Sequence, residues 1–201
     1  FRRVLFRSDW LNAYGWAVGV ELSPTGLAIG RRHGRRMVRG SVDALPVPDA
    51  SFDVVTSFDV LYALDDTTER AALREMHRAL APGGVLLVNV AALDILTGRH
   101  SALAHERRRY TRARLRARLE DAGFDVMRMS YTNAVTLPLT LAVRLAQRWR
   151  GASDAAGETE MTVPPAPVNA ALAALLGLES WVVGRWSLPA GSSLLAVARK
   201  R

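Results

Sequence analysis

Two acids stand just past short apolar runs. Glu21 closes the short apolar run Trp16–Leu22 (WAVGVEL), and Asp43 lies in Gly40-Ser41-Val42-Asp43-Ala44-Leu45-Pro46, just past the next run. In a doubly wound sheet, ligands collect at the carboxyl ends of the strands. A carboxylate there can accept both hydroxyl hydrogens of a ribose, and charged acceptors make the stronger hydrogen bonds. Glu21 alone fits a nicotinamide-binding site equally well, or an ordinary capping carboxylate at the start of the helix that follows. Further along, His100, His105 and Tyr110 fall in Asp94–Tyr110 (DILTGRHSALAHERRRY), a long stretch after an apolar strand and a common place for substrate contacts. A histidine there could take a proton from an oxygen, nitrogen or carbon nucleophile, since its unperturbed pKa lies near neutrality. Surface histidines with no role are equally ordinary. The four histidines, His33, His77, His100 and His105, are too scattered to mark a metal site.

The elements that must position these residues follow an α/β rhythm. The chain alternates short apolar runs with amphipathic helices. Strands are expected over Trp16–Leu22, Arg36–Gly40, Phe52–Phe58, Val85–Ala91, Phe124–Tyr131 and Ser192–Ala198. Ser23-Pro24 supplies an N-cap and a proline at the first helical position for a helix to His33, which Gly34 closes. A second helix spans Thr67–Leu80, with Leu73, Met76 and Leu80 on one face, and Ala81-Pro82-Gly83-Gly84 stops it. Thr111 caps a third, in which Leu115, Leu119 and Ala122 form the buried stripe, and Gly123 ends it. Past Thr132 the rhythm changes. Ala134–Arg150 and Val168–Trp186 read as two apolar helices joined by a Gly/Ser/Pro-containing linker over 151–167.

The spacing of acid, Ala44-Leu45-Pro46, a short turn and Phe52-Asp53-Val54-Val55 resembles the class I S-adenosylmethionine-dependent methyltransferases. The resemblance continues through Ser57-Phe58-Asp59-Val60-Leu61-Tyr62 and Leu80-Ala81-Pro82-Gly83-Gly84 and covers roughly Trp16–Tyr131, with the last strand rejoining it. It implies S-adenosyl-L-methionine as cofactor. Glu21 and Leu22 would lie along the ribose, and Asp43 would accept from the adenine amino group with Ala44 and Leu45 framing the ring. Ser57 and Phe58 would line the methionine part and the substrate mouth. Many relatives carry a histidine where this chain has Ala63, so no catalytic histidine is expected there. His100, His105 and Tyr110 fall in a segment resembling one carried by a subgroup of these enzymes and are the candidates on the acceptor side.

The fold expected is therefore α/β, a Rossmann-like class I methyltransferase sheet with two extra apolar helices before its last strand, that strand antiparallel. One departure stands out. The family opens with a strand and a glycine-rich turn, and nothing here supplies them, since Gly15 and Gly19 flank or interrupt the second strand. The sequence thus reads as truncated at its amino end, and as binding the cofactor weakly or not at all. The first eight residues (FRRVLFRS) resemble the translation of a sequencing-adapter oligonucleotide and are expected to be non-native. The expected organisation is 1–8 non-native, 9–133 methyltransferase core, 134–190 apolar helical cap and 191–201 the last core strand.

Composition narrows the partners. The 201 residues are 49% hydrophobic and 23% charged, a globular balance. The chain has no cysteine, which excludes disulfides and thiolate metal sites and suits a reducing, cytoplasmic compartment. The net charge is +8, carried by arginine with Lys200 the sole lysine. The densest run is Arg107, Arg108 and Arg109 followed by Arg112, Arg114, Arg116 and Arg118. It reads as a solvated helix surface or, more sharply, as a phosphate grip, because arginine forks match phosphate oxygens. No RNA-recognition motif or interleaved aromatic set accompanies it, so nucleic acid is not the expected partner. A small-molecule methyl acceptor is expected, hydrophobic or lipid-like if the carboxyl-terminal helices form a lid over it. Trp149, Trp181 and Trp186 beside Arg148, Arg150 and Arg185 would also suit peripheral contact with the inner face of a membrane. Two other classes stay open. A nicotinamide-dependent oxidoreductase shares Glu21 but does not explain the Asp-Ala-Leu-Pro turn. A non-catalytic membrane- or phosphate-binding module explains the missing glycine turn and the basic run.

Overall fold

A computed structural model describes residues 11, 13–93, 107–138, 141–142 and 165–201. In chain order the elements are β1 (Gly19–Glu21), α1 (Pro24–Arg32), β2 (Met37–Arg39), β3 (Phe52–Phe58), a 3-10 turn (Leu61–Ala63), α2 (Asp66–Ala79), β4 (Leu80–Ala91), α3 (Arg112–Asp121), β5 (Phe124–Thr132), α4 (Ala166–Arg185) and β6 (Ser193–Lys200). This is the α/β order expected. The boundary that moved most is the start of β4, because Leu80 pairs with Phe52 before the Pro82-Gly83-Gly84 excursion and Val54 resumes the ladder against Val85. The turn sits inside the strand as an irregularity instead of preceding it.

Among the described residues the strands form two sheets. β1 and β2 pair in parallel over three residues, Gly19 with Met37 to Glu21 with Arg39. The larger sheet has the order β3-β4-β6-β5. β3 is parallel to β4, and β6 runs antiparallel to both β4 and β5, as expected for the last strand. β3, β4 and β5 therefore point the same way, and their carboxyl ends share one rim.

Local sequence explains the helices. Ser23 caps α1 by accepting from the Gly26 amide, with Pro24 at the first helical position. The α2 cap is Asp65, whose carboxylate accepts from the Thr68 amide at 2.8 Å. Thr111 caps α3 through the Arg114 amide at 3.2 Å. Gly123 ends α3 in the left-handed region, φ 91°, where a side chain would be strained and would also press on His77. The core follows from the apolar stripes. Leu73 and Met76 of α2, Leu115 and Leu119 of α3, and the inward residues Leu86, Val88, Val90, Leu194, Ala196 and Ala198 form one buried cluster. Both helices lie on the same face, since Arg118 of α3 pairs with Asp66 and Glu69 of α2. The opposite face is thinner, and Val54 and Met127 are about half exposed there, at 48% and 53%.

The apolar segment beyond β5 departs from expectation. The helix expected over 134–150 falls mostly outside the described residues. The second helix, α4, does form, but it does not pack along its length as a cap on the sheet, and most of its surface is exposed.

Candidate functional site

The two acids leave the same end of the small sheet. β1 and β2 are paired and parallel, so Glu21 at the end of β1 and Asp43 just beyond β2 lie at the same end of the small sheet. The Glu21 carboxylate accepts from the Ser23 amide at 2.8 Å, at the start of α1. It rests so close to that helix that a Cβ on Gly26 would come within 2.9 Å of its carboxyl carbon, so any side chain there would push the acid aside. The other Glu21 oxygen has no hydrogen-bond partner among the described residues. Leu22, 63% exposed, offers an uncovered apolar surface beside it.

The Asp43 turn is anchored from below. Asp43 receives the Ser41 hydroxyl, and Ala44 closes the turn onto Ser41. Glu75 of α2 accepts the Leu45 amide at 2.8 Å. Arg78, one turn on, donates to the carbonyls of Leu45 at 3.0 Å and Val47 at 2.9 Å and to the Asp49 carboxylate at 2.6 Å, while gripping Glu75. This guanidinium is the largest cause holding the Glu75 carboxyl below its usual range, and the two acids hold Arg78 firmly protonated. Asp43 and Ala44 stay exposed above this clamp, and Leu45 is half-buried. Sequence reading missed Arg78 and Glu75, and their i, i+3 spacing on a helix is too common to mark them.

The rim of the larger sheet carries a second set. Ser57 is buried in β3, and its hydroxyl has no hydrogen-bond partner among the described residues. Phe58 beside it is half-buried. Just past the ends of β3, β4 and β5 stand three non-glycine residues with positive φ: Asp59 (61°), Leu93 (61°) and Asn133 (60°). Such backbone costs about 1–3 kcal/mol each and clusters where a site needs it. Asp59 is held by Asn89, which donates its side-chain amide at 3.0 Å and accepts the Asp59 backbone N–H at 2.9 Å. Asn133 donates to the Ser193 hydroxyl at 3.1 Å. Asp59, Asn89, Asn133 and Ser193 were not singled out from sequence, because polar residues after strands carry no pattern until the strands are in register.

The expected acceptor-side residues separate. His100 and His105 lie outside the described residues. The chain leaves the rim at Leu93 and is picked up again at Arg107, whose amide donates to the Tyr62 carbonyl at 3.0 Å. Ala92 bridges Tyr110, so both ends of the 94–106 stretch start from the carboxyl end of β4. Tyr110 lies in the core instead of at the mouth, 1% exposed, its phenol donating to Glu69 at 2.7 Å. Burial, and then the adjacent carboxylate, push this phenol far above its ordinary range, so it holds its proton.

The arginine run is also accounted for. Arg108 and Arg118, each 13% exposed, converge on the fully buried Glu69 and on Asp66. Arg112 stacks over Tyr131, with its guanidinium 4.9 Å from the ring centre, and Arg116 pairs with Glu120. Arg108 and Arg118 thus form a buried ion network tying α3 to α2, because Glu69 faces the run from the neighbouring helix, whereas Arg107, Arg114 and Arg116 are exposed, as expected of a solvated helix surface.

For S-adenosylmethionine the donor set fits in kind. Acceptors for a ribose diol and an adenine amino group sit at adjacent strand ends, and an orphaned buried hydroxyl lies in β3. Among the described residues no glycine-rich turn stands between the two sheets.

Comparison with known proteins agrees with this geometry. Residues 5–88 match the family model described as a methyltransferase domain. A protein of Mycolicibacterium smegmatis named a probable S-adenosylmethionine-dependent methyltransferase is 39% identical over 89 residues, 43% of this chain and 34% of that one. The ubiquinone/menaquinone biosynthesis C-methyltransferase UbiE of Shewanella frigidimarina is 40% identical over 67 residues, 33% of this chain and 24% of that one. The matches thus span about a third of the first relative and a quarter of the second. Among solved structures, an S-adenosylmethionine-dependent methyltransferase from Mesorhizobium loti superposes with a TM-score of 0.59 at 18% identity, covering 97% of this chain and 86% of that one. The sheet order and these matches together show a chain with the fold of the class I S-adenosylmethionine-dependent methyltransferases, similar over residues 5–88 to their methyltransferase domain.

Proposed function

We propose that this protein transfers the methyl group of S-adenosylmethionine to a small hydrophobic or lipid-like acceptor. The observation that carries this is the placement of Glu21 and Asp43 at neighbouring carboxyl ends of paired parallel strands. The cofactor supplies an electrophilic sulfonium methyl, and the protein's task is alignment. Glu21 would hold the ribose hydroxyls, Asp43 would accept from the adenine amino group, and Ala44 and Leu45 would frame the ring. Ser57 and Phe58 would border the methionine chain. The hydrophobic character of the acceptor is supported by the exposed apolar helix and by the UbiE relatives, named as C-methyltransferases of ubiquinone and menaquinone biosynthesis. Methylation at carbon releases a proton, and His100 or His105 would be the group to take it. A cytoplasmic location with peripheral membrane contact is consistent with this acceptor class.

A saturation-transfer NMR titration of the 201-residue chain with S-adenosylhomocysteine and with NADH tests the assignment. This method detects even weak binding. The adenine and ribose protons of S-adenosylhomocysteine should receive saturation. Glu21→Gln should weaken the ribose signals and Asp43→Asn the adenine signals, each by about three- to tenfold, the loss of one charge-assisted hydrogen bond. Equal or stronger saturation of the nicotinamide ring of NADH would overturn the assignment. So would S-adenosylhomocysteine signals indifferent to both substitutions.

A further inference from the structure

Helix α4 has the sequence APVNAALAALLGLESWVVGR, with a single acid, Glu179, and a single base, Arg185. Positions 168, 172, 175, 179 and 182 share one stripe at helical spacing. That stripe is buried only at Glu179, with Leu172 and Val182 half-buried on either side of it. Glu179 is 7% exposed and accepts the Val135 amide at 2.9 Å, whereas Val168 and Leu175 on the same stripe are 49% and 42% exposed. Leu178, off the stripe, is 65% exposed. The thirteen residues from Ala166 to Leu178 thus form a rod with no charge, and none of them is buried against the described body. A helix apolar all round normally lies inside a core or in lipid.

The residues at the foot of the rod say what would cover it. Trp181 and Trp186 meet edge to face with ring centres 6.0 Å apart, and the Arg185 guanidinium sits 4.2 Å over the Trp181 ring. Arg128 crosses from β5 to donate to the carbonyls of Val183 at 2.6 Å and Gly184 at 2.9 Å, and Arg112 donates to the Leu188 carbonyl at 2.5 Å. An uncharged rod therefore gives way along the axis to one band in which the indole pair and the guanidinium groups lie together. A bilayer offers the same step, from acyl chains to an interface where tryptophan is favoured beside lipid phosphates. The band uses only some of its donors on carbonyls, since each guanidinium carries about five.

We propose that α4 inserts residues 166–178 into one leaflet of an anionic membrane, with Trp181 and Trp186 at the interface and Arg128 and Arg185 facing the lipid phosphates. The rod is about 20 Å long at about 1.5 Å per residue, short of the roughly 30 Å hydrocarbon core, so the helix enters one side and does not cross. The chain thereby holds its sheet rim close to a surface where apolar acceptors dissolve. The insertion needs no cofactor, so its test is independent of the proposed activity.

The experiment is flotation of the 201-residue chain with vesicles of phosphatidylcholine alone and with about 30% phosphatidylglycerol, with tryptophan fluorescence read against bromine-labelled acyl chains. Flotation with the anionic vesicles and quenching by bromolipid are expected, and quenching should fall away in Trp181→Phe/Trp186→Phe. Leu175→Glu/Leu178→Glu changes two exposed positions and should lower partitioning at least about tenfold. Arg185→Gln should lower it about fivefold on anionic vesicles and little on neutral ones. Should the glutamate pair unfold the chain, bromolipid quenching of the unaltered protein still decides. No flotation, flotation without quenching, or flotation unchanged by the glutamate pair would overturn the proposal. A dimer in light scattering that dissociates with the same pair would overturn it in favour of a second copy as the cover.

Discussion

His77 shows how one side chain couples the core to pH. It lies on α2 with its ring edge-on to Phe124, centres 5.2 Å apart, under the Gly123 turn. Burial first, and the charge of Lys200 second, hold its imidazole below the ordinary value. In the unfolded chain the group protonates near about pH 6.5. Between that value and the lower folded one, the unfolded state binds a proton that the folded state refuses, so stability is fully present above about pH 6.5 and falls as the pH drops. His77→Gln removes this slope. Thermal unfolding at about pH 7.5 and about pH 5.5, on either side of the unfolded value, should therefore show a smaller loss of Tm in the variant than in the parent. Equal losses would show that His77 carries none of the acid sensitivity. At this scale the sequence was partly legible. Glu21, Asp43 and the caps Ser23 and Thr111 declare themselves by position, because a cap or a strand-end acid acts on neighbours a few residues away. Tyr110 and the arginines do not, since what decides them is Glu69, some forty residues earlier and brought underneath by the fold.

Elements carry the placement of the Asp43 turn. That turn has no regular structure, and its position derives from α2 through Glu75 and Arg78. Arg78→Ala removes two backbone anchors and the Asp49 pair together, leaving Leu45 held by Glu75 alone. Hydrogen exchange at the amides of Leu45 and Val47 should then speed up about tenfold or more while the β4 amides keep their rates, because the opening is local. Any S-adenosylhomocysteine signal should weaken with it, and Arg78→Lys should restore only part, since a lysine cannot reach two carbonyls and two acids at once. Unchanged exchange at Leu45 would mean the turn holds itself. Strand boundaries at this scale read well where apolar runs were short and bounded: Phe52–Phe58 is the segment the sequence marks. α4 was recognisable as a helix but not as an exposed one, because periodicity reports which residues are apolar and says nothing of what covers them.

The whole molecule is unevenly built, and this bears on the cofactor. All the members of the main buried cluster come from Leu61 onward, whereas the unit of β1, α1 and β2 contributes only Met37 to the buried apolar residues. Among the described residues its two three-residue strands share no ladder with the larger sheet. A two-stranded unit of this length is marginal on its own, so it should open far more often than the β3-β4-β6-β5 sheet. Native-state hydrogen exchange should show this directly. The amides of Val20, Glu21, Val38 and Arg39 should exchange on the order of a hundredfold faster than those of Leu86, Val88 and Leu195, through openings that leave the larger sheet intact. Since Glu21 hangs from this loose unit while the Asp43 turn is clamped to α2, a ligand that engages both must close the one onto the other in order to bind. Part of the binding free energy goes into that closure, which weakens the apparent affinity and protects the same amides. S-adenosylhomocysteine near saturation should therefore slow exchange at Val20 and Val38. It should leave untouched Ala196 and Leu195 of β6, which pair with Val88 and Asn89 of β4 and exchange only through global unfolding. Uniform exchange across both sheets would show instead that the small unit is as firmly built as the large one and that weak binding, if found, has its cause at the contacts themselves.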